Sequence, residues 1–352
     1  MTAELQQLLK ETSRSFYLTV RVLPAPVRSS IGIAYLLARA TDTVADTELV
    51  PVDERLAALA ILRRRIQGNT QTPFDATAFV RSPSPSASPG ERRLLERLEA
   101  ALQVFDHFPS QEKTLIRQVL DTITSGQELD LHRFGLPVVG AIASLNSPEE
   151  LDDYTYRVAG CVGEFWTRLT HLRCFPNAPV DSERLLTDGV RFGCGLQLVN
   201  ILRDLPKDLS NGRCYLPHTE LTSVGLHPAD LIRPEVWPRL KPVYDRWWNR
   251  AMDHLNGGWA YTQQLPRRQV RLRLACAWPV LLGVATLAKL ATANPLDARQ
   301  RVKVSRAEVR KILVSSLWRI PFPNAWNRQF ENWGGRTATE GAASFPKPGS
   351  IA

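Results

Sequence analysis

Two pairs of aspartates stand four residues apart in this chain: Asp42 and Asp46 in Asp-Thr-Val-Ala-Asp, and Asp204 and Asp208 in Asp-Leu-Pro-Lys-Asp. On an α-helix, residues at that spacing lie nearly one above the other, with about 5–6 Å between Cβ atoms. Each pair can therefore present two hard oxygen ligands on one face. Two such faces across a cleft suit divalent cations, and Mg²⁺ held by a few carboxylates keeps open positions for substrate phosphates. Arg39 precedes the first pair, and Arg203 and Arg213 bracket the second. Their guanidinium forks match phosphate oxygens. The pattern points to a site that handles diphosphate.

A single Asp-x-x-x-Asp on a helix is ordinarily a solvated face. Here the first pair follows Ile31-Gly-Ile-Ala-Tyr-Leu-Leu-Ala, and the second follows Phe192-Gly-Cys-Gly-Leu-Gln-Leu-Val-Asn-Ile-Leu. Carboxylates within such apolar runs are costly to bury without a compensating charge. Metal and diphosphate together supply one.

The elements that must position these groups read as helices. Arg55–Ile66 carries apolar residues at helical spacing. Ser110 is placed to cap a helix over Gln111–Asp130, and Ser147-Pro148-Glu149-Glu150 opens another with proline at its first position. Further helices are expected across 12–50, 182–205, 236–262, 267–293 and 305–318. Pro206 should end or kink the helix that carries Asp204, because proline removes a backbone bond and clashes with the preceding turn. Hairpin signals are scarce. The expectation is an all-α fold in one domain over 1–333. A mobile Pro/Ser loop is expected at about 80–90, a turn-rich segment at 208–217 and a disordered tail at 334–352.

At 352 residues, 44% hydrophobic and 22% charged, the chain has an ordinary soluble globular composition. No apolar run approaches the roughly 20 residues of a membrane-spanning helix. The first residues lack the basic start and apolar centre of a signal peptide. Cys161, Cys174, Cys194, Cys214 and Cys276 have no metal-finger spacing and read as thiols in a reducing cytosol. A monomer is expected, cytoplasmic or peripheral at the inner face of a membrane. The net charge of +9 suits an anionic substrate or lipid, and no nucleic-acid-binding signature accompanies it. Basic residues over Arg299–Arg319, followed by Trp326 and Trp333 and including Trp318, fit either contact with an anionic membrane or a terminal helix anchored on the core.

Four blocks resemble the squalene and phytoene synthase family, and squalene synthases most. They are Thr12-Ser-Arg-Ser-Phe16; Tyr35 through Asp46; Tyr154-Thr-Tyr-Arg-Val-Ala-Gly-Cys-Val-Gly163; and Gln197 through Pro217, with its Gly212-Arg213. The resemblance runs from residue 12 to about 315. It implies the helical isoprenoid synthase fold with a central cavity. It also implies Mg²⁺-dependent head-to-head joining of two farnesyl diphosphates to presqualene diphosphate, then reduction by NADPH to squalene. Carried over by motif, Asp42, Asp46, Asp204 and Asp208 bind metal, with Asn200 as a further oxygen one turn before Asp204. Arg14, Ser15, Tyr35, Arg39, Gln197, Arg203 and Arg213 handle diphosphate. Tyr156 faces the cation or moves its proton, and Tyr154 is its structural neighbour.

The chain departs from the family at Ala45, where glutamate often stands, at Pro206, and at Arg157, where eukaryotic squalene synthases have the tyrosine. The segments 278–288 and 301–309 resemble squalene synthase, and Lys303 and Arg306 are its candidate contacts to NADPH phosphates, because no GxGxxG fingerprint is present. The alternatives are a sibling that makes dehydrosqualene, phytoene or presqualene diphosphate, or a catalytically silent all-α binding or assembly factor.

Overall fold

A computed structural model of the chain describes residues 1–13, 16–69, 74–81, 88–135, 141–297, 299–300 and 302–335. Arg14 and Ser15, most of the 80–90 loop and nearly all of the expected tail lie outside them. The described chain is helical almost throughout. Its N-terminal part comprises α1 (Ala3–Ser13), α2 (Phe16–Val22), α3 (Ala25–Ala45), α4 (Val52–Gln67), α5 (Thr77–Arg81), α6 (Pro89–Glu96), α7 (Leu98–Asp106) and α8 (Ser110–Phe134). Then come α9 (Pro148–Thr155), a wider π-helical turn over Tyr156–Gly160, α10 (Cys161–Cys174) and α11 (Ser182–Ser210). The C-terminal part adds α12 (His218–Ser223), α13 (Trp237–Gln264), α14 (Val270–Leu290), α15 (Arg306–Arg319) and α16 (Pro323–Asn332). Among the described residues the strands are β1 (Ala143–Ser144) and β2 (Arg213–Cys214), paired in parallel.

Several expected boundaries move, each for a local reason. The stretch 12–50 is not one helix: Pro24 caps α3 and Pro51 caps α4, as residues with a fixed φ and no N–H can at a helix start. Ser110 does not cap α8 but begins it, with Pro109 in the cap position. Pro206 does not end its helix, because α11 continues to Ser210. Proline at 206 leaves the Leu202 carbonyl without its helical donor, and the buried Tyr244 hydroxyl of α13 donates to that oxygen at 3.2 Å. A side chain from the neighbouring helix replaces the missing bond.

Two buried apolar clusters fill the interior, one drawn mainly from α1 to α8 with α10, the other mainly from α11 to α16. α11 links them, packing on α13 along one side and on α10 and the π turn along the other. The α10–α11 approach is backbone to backbone. A Cβ added at Gly163 would lie 1.8 Å from the Gly189 carbonyl oxygen. That contact explains glycine in the Val-Ala-Gly-Cys-Val-Gly block. One sequence expectation needs amending. α14 is long and apolar enough to span a bilayer by length and composition, but most of it is buried in the fold. It serves here as a core helix.

Candidate active site

α3 ends at Asp46, whose N–H bonds the Asp42 carbonyl at 2.9 Å. The two aspartates thus occupy successive turns of one helix end. Opposite them α11 carries Gln197, Asn200, Asp204 and Asp208 to the same mouth. β2 closes a third side with Arg213, after a turn at Gly212 whose φ of +73° favours glycine. The mouth has a volume of about 470 Å³. It continues inward to a chamber of about 320 Å³, and Asp42, Asp46, Asp130, Tyr154, Gln197 and Arg213 border both. The chamber's further walls include Ala38, Ile123, Leu131, Val158 and Val162. A polar, acidic mouth therefore adjoins a chamber whose wall is aliphatic on one part and polar where the two meet.

Six carboxylates border the mouth, Asp42, Asp46, Glu48, Asp130, Asp204 and Asp208, against the two cations Lys207 and Arg213. That imbalance shifts the carboxyls. Burial and Asp46 push Asp42 well above the ordinary aspartate range, against the pull of Arg39. Burial raises Asp46 as well, opposed by Arg213 and Arg39. Asp208 is pushed up to about 7 by burial and by Asp204, and burial takes Asp130 to about 6. Oxygen-rich, under-neutralised surroundings of this kind are what a hard divalent cation binds. The residues present therefore fit Mg²⁺ as a donor set, with Asp42, Asp46, Asn200, Asp204 and Asp208 to hold it. Among the described residues no three acids are already gathered into one metal cluster, so the two pairs face the same space as separate half-sites.

Arg39 donates to Asp42 at 2.6 Å and also to Glu91. Glu91 is held in turn by a reciprocal capping box with Ser88 at the start of α6. Burial works against the Arg39 charge, but Asp42 and Glu91 outweigh it and keep the guanidinium more basic than usual. Arg203 takes a different course. It grips Asp204 through two bonds of 2.9 and 2.5 Å and borders neither cavity. Tyr35 lines the chamber, stacks on Phe16 at 5.1 Å and donates to the Thr12 carbonyl at 2.9 Å.

The structure does not place Tyr156 in either cavity wall. Its hydroxyl lies 3.3 Å from Glu164, and burial and that carboxylate push it up to about 12. Tyr154 lines both cavities instead, and Val158 and Val162 line the chamber with it. Residues 154, 158 and 162 recur at one helical turn, whereas 156 falls on a different face. Tyr154 stacks on Tyr215 at 4.7 Å, and the Tyr215 hydroxyl donates to Asp130 at 3.0 Å. Lys303 and Arg306 also border neither cavity.

Gln127 and Asp130 of α8, Lys207 of α11 and Glu91 of α6 join the site without belonging to the residues that the sequence motifs mark. Ile123, Gln127, Asp130 and Leu131 share one α8 face, and polar residues at that spacing on an otherwise apolar face were the available signal. Lys207 lies between the aspartates of its own motif. Glu91 ends a Ser-x-x-Glu capping signature.

Comparison with known proteins agrees with this geometry. A family described as squalene/phytoene synthase matches residues 9–308. The squalene synthase of Schizosaccharomyces pombe is 24% identical over 88% of this chain and 64% of its own length. A bifunctional lycopene cyclase/phytoene synthase of Colletotrichum graminicola is 30% identical over 70% of this chain. The chain spans 39% of that second protein, so it corresponds to part of each. Among solved structures, the complex of TcSQS with the ligand BPH1237 superposes with a TM-score of 0.76 at 20% identity, covering 94% of this chain and 89% of the other. That likeness establishes the all-helical fold with its central cavity.

Proposed function

Because the chain belongs to the squalene/phytoene synthase family, we propose that it is a squalene synthase, joining two farnesyl diphosphates head to head to presqualene diphosphate and reducing that product to squalene. One observation carries the diphosphate part of the reading. Two acidic helix faces and the guanidinium of Arg213 border one mouth, and that mouth adjoins a chamber with an aliphatic wall of Ala38, Ile123, Leu131, Val158 and Val162. The polar end suits the diphosphates and the aliphatic end suits the prenyl chains.

In this reading Arg39 and Arg213 hold the leaving diphosphate by charge-assisted bonds. Tyr35 and Gln197 border the same space and orient it. Magnesium, when bound by Asp42, Asp46, Asn200, Asp204 and Asp208, neutralises charge on the departing diphosphate. Ala38, Ile123, Leu131, Val158 and Val162 keep water from the allylic cation that remains. Closing the cyclopropane ring releases a proton from the second prenyl unit to the departed diphosphate, the base that the first step leaves in the cavity. Tyr154 takes over from Tyr156 as the wall tyrosine nearest that chemistry, because it borders both cavities. Arg203 acts through Asp204, setting the direction of that carboxylate. Arg14 and Ser15 keep their roles from the motif resemblance alone.

The squalene outcome needs NADPH as hydride donor. Lys303 and Arg306 are the cations proposed for it by resemblance. Their position outside the cavity walls leaves the reductive half to be decided by product analysis. The likeness to a bifunctional lycopene cyclase/phytoene synthase supports a second reading, in which the product is phytoene or dehydrosqualene and no reductant is used. Purified protein given farnesyl diphosphate and Mg²⁺ should release diphosphate without NADPH yet yield little squalene. Adding NADPH should redirect the same carbon to squalene. An identical product profile with and without NADPH supports the second reading, and no metal-dependent diphosphate release supports the silent binding factor.

A further inference from the structure

Glu91 is an acid that reaches the active site without entering it. It stands in the first turn of α6, is only 5% exposed, and borders neither cavity. Its Oε2 accepts from the Ser88 backbone N–H at 2.6 Å, and its Oε1 accepts from the Arg39 guanidinium. Burial works to raise its carboxyl, but the Ser88 N–H and Arg39 outweigh it and hold the group below the ordinary glutamate range. Glu91 is therefore a fixed, ionised partner for Arg39 at neutral pH.

Arg39 is held between two acids in different situations. Its Nη1 donates to Asp42 at 2.6 Å and its Nη2 to Glu91, while its Nε is buried and bonds nothing among the described residues. Asp42 borders both cavities and belongs to the donor set for magnesium. Glu91 lies outside both, so nothing that enters the mouth meets it. Once metal takes Asp42, an arginine with no other partner would have to be ordered again in each turnover, at the cost of its rotamer freedom. With Glu91 in place one terminal nitrogen stays anchored and the other remains beside the mouth. We propose that Glu91 is a positioning residue for the reaction: it fixes Nη2 of Arg39 so that Nη1 can exchange Asp42 for the departing diphosphate, a role that rests on the diphosphate reading of the mouth. Charge on the diphosphate grows as its carbon–oxygen bond breaks, so the contact tightens toward the transition state and a misplaced Arg39 shows mainly in kcat.

Diphosphate release from farnesyl diphosphate with Mg²⁺, measured beside the melting temperature, tests this. Glu91→Gln keeps the shape and removes the charge, and glutamine also completes a capping box, so α6 should still form. Its kcat should fall about tenfold or more, with KM much less affected. Ser88→Ala is the structural control. It removes the hydroxyl half of the capping box and leaves the bond to Arg39, so it should lower the melting temperature and leave kcat unchanged. Arg39→Lys gives a second check, because lysine lacks the planar fork that lets one end stay fixed while the other turns. In that background Glu91→Gln should reduce kcat little further. If the unaltered protein releases no diphosphate with Mg²⁺, the diphosphate reading fails and this role with it. If it does release diphosphate, two results would overturn the positioning role alone and leave Glu91 as a helix cap. One is a kcat for Glu91→Gln equal to that of Ser88→Ala. The other is a loss that multiplies in full with the loss from Arg39→Lys.

Discussion

Asp42 and Asp204 each form an ion pair with an arginine of the same helix, Arg39 and Arg203. In the proposed reaction a metal held at the mouth would compete with those arginines for the carboxylates, and Arg39 and Arg203 would then be available to diphosphate. Burial and Asp46 make the Asp42 charge unfavourable for folding, while the proposed reaction requires the charge of both aspartates. Asp42→Asn and Asp204→Asn should each lower diphosphate release at saturating Mg²⁺ by about a hundredfold or more, the scale of a lost electrostatic contact in a transition state. The melting temperature of Asp42→Asn should not fall, because the surroundings of residue 42 already favour an uncharged side chain. Turnover near that of the unaltered protein in either variant would remove that residue from the ligand set.

At the scale of elements, α11 shows a broken local rule repaired from outside. Pro206 removes one rung of the helix and Tyr244 replaces it. Tyr244→Phe should leave the Leu202 carbonyl buried and unpaired, at a cost of about 1–3 kcal/mol measured by denaturant unfolding. Pro206→Ala restores the backbone N–H, so the same Tyr244→Phe change should cost clearly less in that background. A double-mutant cycle with no coupling would show that the hydroxyl does not replace the rung. This is also where sequence and structure part company. The two aspartate pairs were legible because their geometry is fixed by four residues of helix, whatever the rest of the chain does. The continuation of α11 past Pro206 was not, because it depends on a tyrosine brought by α13. The same holds for the exchange of Tyr156 for Tyr154, since only packing decides which face of α9 and the π turn meets the cavity. Asp130 reaches the site from α8 through tertiary contact, and no local motif announces it.

Across the whole molecule, buried ionisable groups pull stability in opposite directions with pH. His254 on α13 is only 7% exposed, and burial, reinforced by Arg191 and Arg250, pulls it down to about 3. In the unfolded chain the same imidazole takes its proton near pH 6.5. Between those values the unfolded state binds more protons, so this residue's contribution to stability is lost as pH falls from about 6.5 toward 3. The raised carboxyls of Asp130 and Asp208 work the other way. His254→Gln should isolate the first effect. Between pH 7 and pH 5 the unaltered protein should lose about 2 kcal/mol more stability than the variant, read by chemical unfolding at both pH values. Equal losses would mean that His254 is protonated in the folded protein.

The placement of the two acidic faces has a consequence in time as well as in space. Ribosomes deliver the chain from its N-terminus, and early elements form before late ones exist. α3 can fold on α4 and α8 while the chain is still being made, but the facing wall waits for α11 and for the β1–β2 pairing that seats Arg213. Until that second half emerges, α11 and Arg213 are not there to face Asp42 and Asp46. The second acidic pair joins this cavity only when synthesis is well past its midpoint, so through the first half of its assembly the nascent chain carries only the repulsion among Asp42, Asp46, Glu48 and Glu91.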